Sequence, residues 1–199
     1  MNKGDSLLKM VISLGVITCV SAALLAWVYS ITADPVKQAE REKQAEAIRA
    51  VTPAFDNDPI AEEDDVMPVG EPAPLAVFPA RRNGNLVGAA VESYSSDGFS
   101  GEISVMYGFD INGNVTGYEV LNHTETPGLG DKMDEWFRDS LSTRRSIIRK
   151  DPAKTDMKVS KDGGDIDGIT AATITSRAFL EALRRAHTAF IQYRDSEKQ

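Results

Sequence analysis

The chain begins with a long apolar stretch. Residues 10–33 (MVISLGVITCVSAALLAWVYSITA) contain no charged side chain. As an α-helix rising 1.5 Å per residue, this stretch is about 36 Å long, enough to cross a hydrocarbon layer of about 30 Å. Trp27 and Tyr29 stand at its far end, where aromatic rings favour a membrane interface. A cleaved signal peptide would carry a shorter apolar core, about 7–15 residues, before a small-x-small site. The pattern therefore predicts a retained transmembrane helix. Residues 34–50 are rich in Glu, Lys and Arg, with Val36, Ala39, Ala47 and Ile48 interspersed. They predict a solvated helix that starts with Asp34 as N-cap and Pro35 in the first turn. Residues 52–74 are acidic and Pro-rich and predict a linker.

From residue 75 the apolar period shortens to two. The stretch LAVFPARRNGNLVGAAVES (75–93) has two apolar runs around Asn83-Gly84, a hairpin signal. The next stretch, GEISVMYGFDINGNVTGYEVLNH (101–123), repeats the design: Ile103, Val105 and Tyr107 alternate, Asn112-Gly113 turns, and Val115, Tyr118 and Val120 return. Four antiparallel strands in a meander follow from this. Trp136, Phe137 and Leu141 fall at helical spacing and predict a helix over 134–148, while Met157 and Val159 predict a short strand. A last helix is expected over 173–193, with Phe179, Leu183, Ala186 and Phe190 on one face. A sheet with segregated helices defines an α+β fold. The expected organisation is a tail and transmembrane helix over 1–33, a charged helix and linker over 34–74, and an extracytoplasmic domain over 75–199.

Charge and composition narrow the function. The 199 residues carry a net charge of −8, which argues against nucleic acid as a partner, because phosphate backbones recruit basic surfaces. Cys19 is the single cysteine, so no intramolecular disulfide or cysteine-based metal cluster can form. Lys3 and Lys9 precede the apolar span and Asp34 follows it, with Lys37 and Arg41 further out. This bias favours a short tail inside and the large domain outside; in a bacterium that means an inner-membrane anchor with the domain facing the periplasm or cell exterior. The acidic Glu62–Asp65 run reads as solvated charge, and KDGGDID (161–167) as a turn that lacks the ligand spacing of a calcium loop.

The chemistry concentrates in DGITAATITS (167–176), where Thr170, Thr173, Thr175 and Ser176 gather at a helix entrance. Hydroxyls there cap the free N–H groups of the first turn. The same N–H groups and the helix dipole also attract phosphate, with Ala171 and Ala172 small enough to admit it. Capping and anion binding both remain open on these residues alone. The segment resembles the flavinylation motif of FMN-binding subunits in the Rnf electron-transport complex and the sodium-pumping NADH:quinone oxidoreductase. Laid on that motif, Asp167, Thr170, Ala171 and Ala172 lead to Thr173 as the residue that carries FMN. Ala171 stands where the family usually has Gly, so a positive φ there would strain the turn. HTETPGLGDK (123–132) is similar to the flavin-proximal loop of the same family, and the strand block 98–121 resembles its sheet. The length and the lone span match the G subunit of Rnf better than the longer C subunit of the quinone reductase.

The resemblance implies covalent FMN, joined by a phosphoester to Thr173. A separate flavin transferase would supply it from FAD, with Asp167 presenting or activating the hydroxyl. Glu125, Thr126, Gly128, Leu129, Gly130 and Thr175 would bind the cofactor; Thr175 and Ser176 would also cap the helix. His123 is open between a flavin contact and a strand-end position, and Lys132 between a charge partner and a cap. The implied protein relays electrons beside other membrane subunits in a complex coupling ferredoxin and NAD chemistry to Na+ or H+ translocation. It would be an electron-transfer subunit and not catalytic alone. The alternatives are a related covalent-flavin subunit of a quinone reductase or regulator, and a cofactor-free membrane-anchored interaction module.

Overall fold

A computed structural model describes residues 3–139 and 141–198. Residues 1 and 2 of the expected tail, the side chains of residues 3–8, Ser140 and Gln199 lie outside the described part. The chain divides into two units, one ending at Gln44 and one spanning Ala45–Gln199. A single helix, α1 (Lys3–Val51), runs through the first and ends in the second. Its apolar part is long enough to cross a membrane and is exposed throughout, with Leu14, Leu25 and Trp27 more than half exposed. The helix expected to restart at Asp34 does not restart: Pro35 lies inside α1. One proline removes a single backbone bond, and the run of strong helix formers that follows it, from Lys37 to Glu42, carries the helix on.

In the second unit, five strands follow one another across an antiparallel sheet in chain order: β1 (Asp64–Val66), β2 (Leu75–Arg82), β3 (Asn85–Ser95), β4 (Ile103–Asp110) and β5 (Val115–Asn122). Register runs Val77 to Val91, Val91 to Tyr107 and Tyr107 to Tyr118. Asn83 and Gly84 turn the first hairpin with φ of 50° and 76°, the left-handed pair that matches strand twist. At the second hairpin, Asp110 Oδ1 accepts the N–H groups of Asn112 and Asn114, and Gly113 supplies φ 92°. β1 was not expected, because its sequence, DDV, reads as linker. It forms because Asp64 and Val66 pair with Val77 and Leu75. The compact unit thus also takes in 45–74, residues the sequence assigned to the charged helix and linker.

Both sheet faces are covered. α3 (Thr173–Ser196) lies on one, packing Phe179, Leu183 and Phe190 against Val77, Val91, Val105, Tyr107 and Tyr118. Tyr107 Oη donates to the Phe179 carbonyl at 2.7 Å, and Phe137 stacks on Phe179 at 4.4 Å. On the other face, Ala47, Ile48 and Val51 of α1 meet Phe78, Ala90 and Met106. Gly108 makes that contact possible, because a Cβ there would fall 1.9 Å from the Val51 carbonyl oxygen. Thr116 Oγ1 donates to the same oxygen.

Two local expectations fail. The helix over 134–148 reduces to α2 (Met133–Trp136) followed by turns, with Phe137 buried and Leu141 96% exposed. Helical spacing put both on one face, but only Phe137 finds the core. The strand near Met157 is a single parallel bridge between Val159 and Ile166. Both residues are buried, and local backbone bonds such as Ser160 N–H to Ile166 O at 2.7 Å close the segment as a turn instead of extending it as a strand.

Candidate functional site

The site forms where the entrance of α3 meets the loop after β5. Ser176 organises the entrance: its Oγ accepts the Ile169 N–H at 2.8 Å and donates to the Ala172 carbonyl at 2.9 Å. Those two bonds hold 169–172 as a turn, with the Ala172 N–H reaching Ile169 O at 3.1 Å. Ala171 sits in that turn at φ 64°, the left-handed conformation that the family's Gly would adopt without strain. The capping expectation is corrected here. The N-cap is Ala172, and neither Thr175 nor Ser176 caps: the first turn has no side-chain cap and no acidic residue. The entrance therefore retains unpaired donors and the positive end of a 24-residue helix.

The loop joins the helix through one buried carboxyl. Glu125, only 5% exposed, accepts from Thr175 Oγ1 at 2.7 Å through Oε2 and from the Ser100 N–H at 3.1 Å through Oε1. It clasps α3, the β3–β4 loop and the loop after β5 together. Gly130 fits against it only as glycine, since a Cβ would lie 2.6 Å from Glu125 Oε2 and 2.9 Å from Thr175 Oγ1. Gly128 supplies φ 78° for the turn in which the Leu129 N–H reaches Thr126 O.

Two cavities meet at Thr173. One, of about 280 Å³, has apolar walls from Phe99, Leu129, Ala172 and Ile174, with Glu125, Thr126, Gly130 and Thr175 completing it. The other, about 350 Å³, is more polar and takes in Arg145, Lys161, Asp167, Thr170 and Trp136. Ala171 and Thr173 line both. The Thr173 hydroxyl accepts from Lys161 Nζ at 3.1 Å. Asp167 places its carboxylate 3.3 Å from Arg144 Nε, and its backbone carbonyl accepts from Trp136 Nε1 at 2.9 Å. The Asp167–Arg144 pair is largely exposed, so it holds the carboxylate only weakly.

An apolar slot opening onto an uncapped helix N-terminus suits a flat ring that ends in a phosphate, so these residues fit FMN. A larger cavity beside α2, about 550 Å³, does not: Asp131, Asp134, Glu135 and Asp139 line it and repel phosphate. Burial pushes the Asp134 carboxyl above its usual range, with His123 and Arg138 acting against the shift.

Of the residues expected at the site, Glu125, Thr126, Leu129, Gly130, Ala171, Ala172, Thr173 and Thr175 share the apolar cavity, while Asp167 and Thr170 line the polar one. Gly128 shapes the loop without lining either. Lys132 lines the acidic cavity. His123 Nδ1 accepts the Glu125 N–H at 3.2 Å and so supports the loop from behind. The sequence did not single out Phe99, Ile174, Lys161 or Arg145. Phe99 offered a signal, a lone aromatic ring within a Gly/Ser loop (97–101); Lys161 offered none.

Known proteins resemble this chain over most of its length. Residues 98–188 match the FMN-binding domain family model, and residues 1–51 match the model of the RnfG N-terminal region. Curated relatives named as the G subunit of an ion-translocating oxidoreductase complex include one from Vibrio cholerae serotype O1, 36% identical over 183 residues, 87% of this chain and 85% of that one. A Yersinia pestis relative of the same name is 36% identical over 88% of this chain and 86% of its own. One from Shewanella piezotolerans is 32% identical over 95% and 92%. With an N-terminal apolar helix, a five-stranded antiparallel sheet and this loop–helix site, the chain belongs to the family of G subunits of ion-translocating oxidoreductase complexes.

Proposed function

We propose that this chain is a membrane-anchored flavoprotein subunit that carries FMN as a phosphoester on Thr173 and relays electrons within an ion-translocating oxidoreductase complex. The observation that carries this reading is the position of Thr173, whose hydroxyl stands between the apolar slot and the polar cavity at an uncapped helix end. Phe99, Leu129 and Ile174 would hold the ring, and the free N–H groups of the α3 entrance would take the phosphate. FMN, once held, supplies one- and two-electron redox chemistry. The chain's own part is to fix it in place and exclude water from its apolar face.

Asp167 is the residue to assist attachment. It lines the Thr173 cavity and could take the hydroxyl proton as a general base. A flavin transferase using FAD is the source of the cofactor, with AMP as the other product. The complex couples ferredoxin and NAD chemistry to Na+ or H+ movement, and the large domain faces the periplasm. Lys9 before the apolar span and Asp34 after it support that orientation.

Co-expression of the full chain with a flavin transferase tests the core of the proposal. A denaturing gel should show a fluorescent band that is lost in Thr173→Ala and kept in Thr175→Ala. A non-fluorescent wild-type band of unmodified mass would refute covalent attachment. Proteolysis of intact spheroplasts should digest the large domain; protection of that domain would refute the periplasmic placement.

A further inference from the structure

We infer that Lys161 is the positioning cation of the attachment site: it orients the Thr173 hydroxyl before FMN is joined and binds the phosphate that arrives there. The inference rests on Thr173 being the attachment residue. Its observation is the 3.1 Å bond from Lys161 Nζ to Thr173 Oγ1, across the polar cavity that both residues line.

The geometry around Lys161 is built rather than incidental. Residues 160–162 form one turn of 3-10 helix, closed by Gly163 at φ 87°. Gly164 follows, where a Cβ would fall 2.2 Å from the Lys158 carbonyl oxygen, so only glycine lets the chain turn back this tightly. The Ser160 N–H reaches Ile166 O at 2.7 Å and the Asp162 N–H reaches Val159 O at 2.8 Å. Asp162 then anchors the turn to α3 by accepting both Nε and Nη2 of Arg177, each at 2.7 Å. That fork holds the Asp162 carboxyl below its ordinary range and neutralises Arg177, the cation on the first turns of α3. Among the described residues, no carboxylate forms a salt bridge with Lys161. Its charge adds to the field that lowers the Asp162 carboxyl, while its Nζ is bonded to Thr173 in the cavity.

The chemistry suits the position. Attachment forms a bond between Thr173 Oγ and the phosphorus of the FMN half of FAD. The phosphorus–oxygen bond to the AMP half breaks, the hydroxyl proton passes to a base, and AMP leaves. Negative charge gathers on the phosphoryl oxygens during that exchange, and an ammonium already at Oγ meets it without reorganisation. A lysine serves as such a point charge and can move from the hydroxyl to a phosphoryl oxygen as the bond forms.

The test measures the rate of flavin attachment to the full chain in detergent, with purified flavin transferase and FAD, by in-gel fluorescence and intact mass. Lys161 is exposed, so Lys161→Ala should keep the wild-type melting temperature. It should label about tenfold more slowly or worse, as expected for loss of a charge-assisted hydrogen bond. Lys161→Arg should recover most of the rate, and Lys161→Glu should lose more than Lys161→Ala. Added salt should slow wild type more than Lys161→Ala. Lys158→Ala, which removes a neighbouring lysine paired with Asp156, should label normally. Wild-type labelling in Lys161→Ala overturns the inference, as does an Arg variant no better than Ala. A defect confined to the KM for the protein substrate also overturns it, since that would place Lys161 in transferase docking. An unlabelled wild type beside a transferase active on a control acceptor refutes attachment itself and removes this inference with it.

Discussion

Neighbouring alanines at the α3 entrance should respond to glycine with opposite signs. Ala171 adopts φ 64°, while Ala172, the N-cap, adopts φ −132° and is only 8% exposed. A left-handed conformation costs an L-residue about 1–2 kcal/mol, and glycine escapes that cost. Glycine also raises the entropy of the unfolded chain by about 0.5–1 kcal/mol. Ala171→Gly should therefore gain about 0.5–1 kcal/mol net. Ala172→Gly has no strain to relieve and loses a buried methyl, so it should cost about 1 kcal/mol. For a unit of this size, 1 kcal/mol moves the melting temperature by about 2–4 °C. The assay is thermal unfolding of the full chain in detergent, followed by the fluorescence of Trp136, whose indole is bonded to Asp167 O beside the turn. A melting temperature unchanged or lowered in Ala171→Gly, or raised in Ala172→Gly, would refute the strain argument. The Ala171→Gly variant should also be flavinylated at least as fast as wild type, because it keeps the turn that presents Thr173.

Other tests follow from the packing. Gly130→Ala forces a methyl against Glu125 and Thr175 and should cost about 1–3 kcal/mol in thermal unfolding, with reduced FMN incorporation. Glu125→Ala and Thr175→Val each break their mutual bond, so a double-mutant cycle should show coupling near ~1 kcal/mol; additive losses would mean the clasp is not formed. Gly108→Ala places a methyl on the Val51 carbonyl and should destabilise the domain by about 2 kcal/mol or more without touching the α3 entrance, as read by melting and by labelling of the folded fraction. His187 gives a pH test. Burial lowers its pKa; Asp151 acts against that shift and Arg194 with it. The unfolded chain therefore binds the proton more readily than the folded one, and stability is fully present above about pH 6.5 and lost as pH falls toward the folded value. His187→Gln should flatten the stability difference between about pH 7 and about pH 5, as read by melting in both buffers.

Much of this protein was legible in its sequence because the relevant physics is local. An uncharged apolar run over 10–33 has few outlets besides a membrane, and Asn83-Gly84 fixes a hairpin through its own φ preferences. The meander β2 to β5 follows from period-two patterning between such turns. The last helix follows from an apolar stripe of 3.6 period. The hydroxyl-rich turn and the Gly/Pro loop could each be marked as chemistry by composition and family likeness, and the strain at Ala171 could be anticipated from glycine's place in that likeness.

Long-range partners decided the rest. DDV at 64–66 becomes a strand only because β2 offers an unpaired edge, and α1 ends on the sheet only because Gly108 leaves room for a carbonyl. Helical spacing over 134–148 did not make a helix, because Phe137 was drawn under Phe179 while Leu141 had nothing to pack against. Thr175 and Ser176 were read as caps from their position; instead Glu125, fifty residues away in sequence, claims one, and the turn before the helix claims the other. Lys161 could not be chosen at all from so ordinary a turn sequence. Its meaning comes from a hydrogen bond to Thr173 made across space. Local sequence sets the conformations each segment prefers, and only packing decides which distant side chain meets each polar group those conformations expose.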